Sequence, residues 1–124
     1  MKIVATVFLV ASLAGVSCSR DMESIETRPE AAARGKILYE RYGCAVCHGR
    51  EGSGDGPVAR AMNPRPRDFR DAEAFKKGRS LGAISETIRV GVMEQGVGMP
   101  GYPHIPDVER RAIGAFVASL HASD

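Results

Sequence analysis

Cys44-Ala45-Val46-Cys47-His48 places two thiols three residues apart, with an imidazole directly after the second. Thiols at this spacing can add across the two vinyl groups of one haem. The following histidine is then carried under the porphyrin, where a neutral ring nitrogen can ligate the iron. Two other chemistries use paired cysteines. A structural zinc site needs four ligands, usually drawn from a second Cys or His pair. The third cysteine of this chain, Cys18, lies in an apolar N-terminal stretch instead. A thioredoxin-like dithiol opens a helix after a βαβ pattern, whereas here the motif follows a helical stretch and no such pattern is visible. The expected cofactor is one covalent haem c, held by Cys44 and Cys47, with His48 on the iron.

A haem so held has a second axial position, filled by Met or His or left open. The candidates beyond the motif are Met62, Met93, Met99, His104 and His121. Met62 follows too closely, in a Gly/Pro-rich loop with little chain to circle the haem. Met93 directly follows a helical pattern and reads as a core-filling thioether. Met99 sits in Gly96-Val97-Gly98-Met99-Pro100-Gly101-Tyr102-Pro103, where glycine and proline interrupt both helix and strand, so the segment reads as an ordered loop presenting one side chain. Met99 is the expected distal ligand, and His104 is the alternative. His121 reads as solvated, near the C-terminus.

The elements that must position these residues read as helices. Thr27 and Glu30 form a capping box around Pro29, opening a helix from about Pro29 to Tyr42 with Ala33, Ile37, Leu38 and Tyr42 at helical spacing. Gly43 ends it before the haem motif. Residues 49–70 are rich in Gly and Pro and read as irregular. Arg65 and Arg67 each follow a proline there, in a loop that must return past the haem edge. A guanidinium fork suits a carboxylate, so one of them is expected on a haem propionate. A short helix is expected over Ala72–Lys77. Another starts at Ser80, carries Leu81, Ile84, Ile88 and Val92, and stops near Gly91. The last has Asp107 as N-cap and runs to about Leu120, with Val108, Ile113, Phe116 and Val117 apolar. No strand is expected.

The ends point to export. Lys2 precedes an apolar run from Ile3 to Val16, which is signal-peptide length and too short to span a bilayer. Residues 1–17 are read as a signal peptide, 18–28 as a flexible polar tether and 29–124 as one domain. Leu13-Ala14-Gly15-Val16-Ser17-Cys18 is similar to a bacterial lipoprotein signal, which would make Cys18 a lipidated N-terminus. Gly15 fits that pattern poorly, and ordinary cleavage nearby is the competing reading. The formal charge of +2 does not call for nucleic acid or an acidic membrane. Basic residues do cluster locally at Arg65, Arg67, Arg70, Lys76, Lys77 and Arg79; for Lys76, Lys77 and Arg79 the expectation is a solvated face. The chain has no Trp and 6% aromatic residues, so a flat apolar cofactor would supply bulk its own side chains lack.

Over residues 29–121 the chain resembles the class I c-type cytochromes. The haem motif, Met99-Pro100 and a helix at each end carry the likeness. Gly54-Asp55-Gly56-Pro57 followed by Asn63-Pro64-Arg65-Pro66-Arg67-Asp68-Phe69 is similar to bacterial monohaem members of respiratory chains. The resemblance implies an all-α cytochrome c fold of about four to five helices around one covalently attached haem. Its N- and C-terminal helices would cross, with Gly35 and Tyr39 against Ile113, Phe116 and Val117. It also implies that the Pro57 carbonyl accepts the free N–H of His48 and fixes its tautomer.

The expected function is one-electron transfer outside the cytoplasm, in the periplasm or on the outer face of a bacterial membrane. The protein would act as a free shuttle or as a haem subunit of a respiratory oxidoreductase, without catalysis of its own. Redox partner proteins are the expected partners, and a lipid anchor at Cys18 would be the sole link to the membrane. The alternative is a ligand-binding or peroxide-reducing haem protein with an open iron position, which needs Met99 off the iron and His104 or Arg67 within reach.

Overall fold

The computed structural model describes residues 26 and 28–120. The expected leader, Cys18, Thr27 of the capping box and His121 lie outside the described residues. Of the expected tether, Glu26 accepts a two-pronged hydrogen bond from Arg34 at 2.8 and 2.6 Å, and Arg28 already belongs to a helix.

Among the described residues, four α-helices and one hairpin follow in order. They are α1 (Arg28–Arg41), α2 (Cys44–His48), α3 (Leu81–Val90), β1 (Val92–Glu94), β2 (Val97–Met99) and α4 (Asp107–Ser119). Helices dominate, as expected. The terminal helices α1 and α4 cross, and Gly35 makes the crossing close: a Cβ there would overlap the Ala112 carbonyl. Beside it Tyr39 and Phe116 meet edge to face, with ring centroids 5.1 Å apart. Leu38, Ile113 and Val117 complete the contact, and Ile84 and Ile88 bring α3 into the same core. Each such side chain, once buried, contributes on the order of 1.5–3 kcal/mol.

The buried face of α1 is Gly35, Leu38 and Tyr39, not the expected stripe through Ala33 and Ile37. Ile37 is 62% exposed, because packing is dictated by the glycine notch rather than by the bulkiest residues. In α3 the Ser80 hydroxyl accepts the Ala83 N–H at 3.1 Å, a cap that starts the helix where expected. Over 72–77 only a 3₁₀ turn forms, at Ala72–Ala74, opened by the Asp71 carboxylate accepting the Glu73 N–H.

Two expectations are corrected at the C-terminal half. Asp107 is the first residue of α4, following Pro106 at the cap position. Its carboxylate accepts hydrogen bonds from Ser85, Arg110 and Arg111. Met99 lies in a strand rather than the expected ordered loop: β1 and β2 pair antiparallel, with Val92 opposite Met99 and Glu94 opposite Val97. The two residues between them, Gln95 and Gly96, both have positive φ (52° and 83°), the geometry that matches hairpin twist. Gln-Gly is a weak form of that turn signal. No helix among the described residues is long and apolar enough to cross a membrane.

Candidate haem-binding site

Gly43, at φ 75°, turns the chain from α1 into α2, so the haem motif sits on one short helix. The loop after it folds back along the motif. Gly54 N–H donates to the His48 carbonyl at 2.8 Å, Gly56 N–H to Cys47 at 3.1 Å and Val58 N–H to Val46 at 3.3 Å. From α1, the buried Tyr39 hydroxyl donates to the Gly49 carbonyl at 2.7 Å and pins the end of α2. Burial raises the Tyr39 pKa, so the hydroxyl remains a donor throughout the neutral range.

Cys44, Cys47 and His48 line a cavity of about 670 Å³, within the size range in which proteins hold cofactors. Its apolar wall comes from Ile84, Ile88, Ile113 and Val117, and the hairpin brings Met99 to the same space. Arg65, Arg67, Lys76 and Lys77 also border it. Cys44 and Cys47 are both half-buried, and neither is in a disulfide. Among the described residues no three His, Cys, Asp or Glu side chains gather as a metal cluster, so the ligand set a zinc reading needs is not assembled there.

The His48 ring stacks on Phe69, with centroids 4.4 Å apart. Burial lowers its pKa, and the Arg67 carbonyl opposes that only in part. The imidazole is therefore neutral at pH 7, the form that ligates a metal. The carbonyl facing Nδ1 belongs to Arg67, at 3.4 Å, where the resemblance had implied Pro57. Pro57 is exposed and does not border the cavity. Phe69 N–H donates to the Gly52 carbonyl at 2.7 Å, which lays residues 66–69 against the haem loop and carries the Arg67 carbonyl to the ring. That contact spans nineteen positions and leaves no local signal.

The other candidates divide clearly. Met62 is half-buried and borders the cavity despite its nearness to the motif in sequence. Met93 is 51% exposed on the hairpin, so it does not fill the core. His104 is exposed beside Tyr42 and Tyr102 and lies off the cavity wall. Arg67 directs Nη1 to the Ala74 carbonyl at 2.7 Å, while Arg65 is exposed at the cavity border. Lys76 and Lys77 are exposed as expected, yet they border the cavity and are held by Glu94 (3.1 Å) and the Gly91 carbonyl (3.4 Å). Sequence reasoning had passed over Phe69 and Tyr39 as site residues. An aromatic two positions after Arg67, and another facing α4, were the signals available.

Two thiols, a neutral imidazole and a thioether around one apolar cavity suit a covalently held haem, with soft and neutral donors for its iron. Comparison with known proteins agrees. The cytochrome c family profile matches residues 32–121, so this chain belongs to the cytochrome c family and carries covalent haem c for electron transfer. Among solved structures it is similar to a reducing HAO-like protein complex of Kuenenia stuttgartiensis, at 32% identity and a TM-score of 0.64. The match covers 78% of this chain and 47% of the other, so the likeness spans about half the length of that chain. No curated protein matches.

Proposed function

We propose that the protein relays single electrons between partner proteins, as a haem-bearing member of an oxidoreductase assembly outside the cytoplasm. The observation that carries this reading is the presence of His48 and Met99 on the same apolar cavity as the Cys44–Cys47 pair. When bound, the haem supplies an iron that alternates between ferrous and ferric states. Cys44 and Cys47 anchor the cofactor, His48 offers its neutral nitrogen and Met99 its thioether. With His48 and Met99 both holding the iron, the protein would leave no position open to substrate. The stacked Phe69 ring and the Arg67 carbonyl hold the imidazole in one orientation, so little need move when the charge on the iron changes.

Membership of an assembly is supported by the likeness to a chain from a protein complex. Docking surfaces for redox partners are small, and the exposed cations beside the cavity are available to such contacts. Export is supported by Lys2 and the apolar run that follows it, with lipidation of Cys18 as one form of retention at the membrane.

Optical spectra of purified protein, recorded through a potentiometric titration, test the reading. A six-coordinate low-spin haem and a single one-electron wave are expected. A five-coordinate ferrous form that binds carbon monoxide at once would sink it in favour of a ligand-binding protein. Of the two distal residues that rival needs, His104 lies off the cavity wall, and Arg67 borders it with Nη1 engaged by the Ala74 carbonyl.

At least one of Arg65 and Arg67 is expected to donate to a haem propionate. Both border the cavity, and Arg67 has nitrogens besides the one held by Ala74. A holoprotein structure with neither guanidinium within hydrogen-bonding distance of a propionate would remove this assignment.

A further inference from the structure

Arg110 is a buried cation where burial needs a reason. It is 8% exposed, in the first turns of α4, where the positive end of the helix dipole disfavours another positive charge. Nη2 donates to the Asp107 carboxylate at 3.2 Å, and Asp107 in turn accepts from the buried Ser85 hydroxyl of α3. Nε has no hydrogen-bond partner among the described residues. Burying an incompletely satisfied guanidinium is unfavourable, and an apolar residue of similar volume would ordinarily suit such a place better.

What the guanidinium does hold is backbone. Nη1 donates to the carbonyl of Ile105, itself 1% exposed. Ile105 lies at the far end of the segment that leaves Met99 and runs to α4. Pro100, Pro103 and Pro106 remove three backbone donors from that segment. Its hydrogen bonds are Tyr102 N–H to Ile88 at 2.8 Å, Ile105 N–H to Tyr102 at 3.2 Å, the Glu109 and Arg110 N–H groups to the Pro106 carbonyl at 3.0 Å each, and the side-chain contact from Arg110 to Ile105. The near end of the segment is tied to β1 through the Met99–Val92 pair. The hairpin holds one end; at the other, the first turn of α4 holds the Pro106 carbonyl through its backbone, and the Arg110 side chain holds the Ile105 carbonyl ahead of it.

We propose that Arg110 is a positioning residue for the axial thioether: by anchoring the Ile105 carbonyl to α4, it keeps the 100–106 segment taut and Met99 on the iron. This inference rests on Met99 being the distal ligand. Without the anchor the stretch ahead of Pro106 can lift from α4, and the thioether is exchanged more readily for an outside ligand.

The test is an imidazole titration of the ferric holoprotein, followed by the near-infrared band of methionine–ferric haem ligation. Arg110→Met removes both guanidinium contacts and is expected to raise the apparent imidazole affinity about tenfold, the scale set by losing one buried charge-assisted hydrogen bond. Arg110→Lys keeps a donor for Ile105 without the fork and should fall between that variant and the wild type. Phe116→Leu weakens the α1–α4 crossing away from the segment; it should lower the thermal transition while leaving imidazole affinity near that of the wild type. Unchanged affinity in Arg110→Met, or an equal rise in Phe116→Leu, would overturn the inference. If Arg110→Met yields no holoprotein, the comparison of Arg110→Lys with the wild type decides: a several-fold rise supports the role, and equality removes it. A wild type lacking the band removes the Met99 assignment and this inference with it. A wild type showing the band, with affinity unmoved in the Arg110 variants, removes this inference alone.

Discussion

Replacing Met99 by alanine is expected to open one axial position on the haem iron. Met99 borders the cavity from β2, and the exposure of Met93 and the placement of His104 off the wall leave neither as a ready substitute. The ferric variant should lose the near-infrared band of methionine ligation. The ferrous variant should bind carbon monoxide where the wild type does so slowly. Methionine raises the potential of a haem, so its removal should lower the midpoint by on the order of 100 mV, within the roughly 0.8 V that axial ligands span. Met62 borders the same cavity and makes a useful control, since Met62→Ala should retain the band. A Met99→Ala protein with an unchanged spectrum would move the distal assignment to Met62.

Loss of the cysteines should act on the other side of the cofactor. Cys44→Ala or Cys47→Ala should each lower the yield of holoprotein, and the double variant should retain no haem through acid denaturation and organic extraction. The wild-type polypeptide should keep its haem through the same treatment. Both cysteines are half-buried on the cavity wall, where each would meet the edge of a porphyrin held there. Haem extracted from the unaltered protein would defeat thioether attachment. His48→Ala is a different lesion: it leaves the covalent bonds possible and removes the nitrogen, so its haem should survive extraction with an altered spectrum.

Much of this was legible without coordinates. Cys44, Cys47 and His48 declare their chemistry by spacing alone, because a short helical turn fixes their separation whatever surrounds it. The start of α3 at Ser80 and its end at Gly91 were readable for the same reason: a cap and a positive-φ glycine act within one turn. Gly35 and Tyr39 at the terminal crossing were implied by the resemblance, and the glycine notch accounts for them.

The hairpin was not legible. Its strands are three residues each, and its turn uses Gln-Gly in place of the stronger Asn-Gly, so Met99 reads as loop. Ile37 misled in the opposite direction: an apolar residue in an amphipathic helix faces solvent when a small neighbour sets the contact.

The chain by itself determined the covalent haem c, since the motif that implies it lies within five consecutive positions, Cys44 to His48. Tertiary structure decided what holds those atoms in place. The Arg67 carbonyl reaches His48 across nineteen positions, Tyr39 reaches Gly49 from another helix, and Arg110 reaches back to Ile105 from within α4. Each contact pairs a common side chain or a backbone carbonyl with a partner chosen by packing. Such groups carry no distinguishing residue type, and only the folded chain brings them within hydrogen-bonding distance.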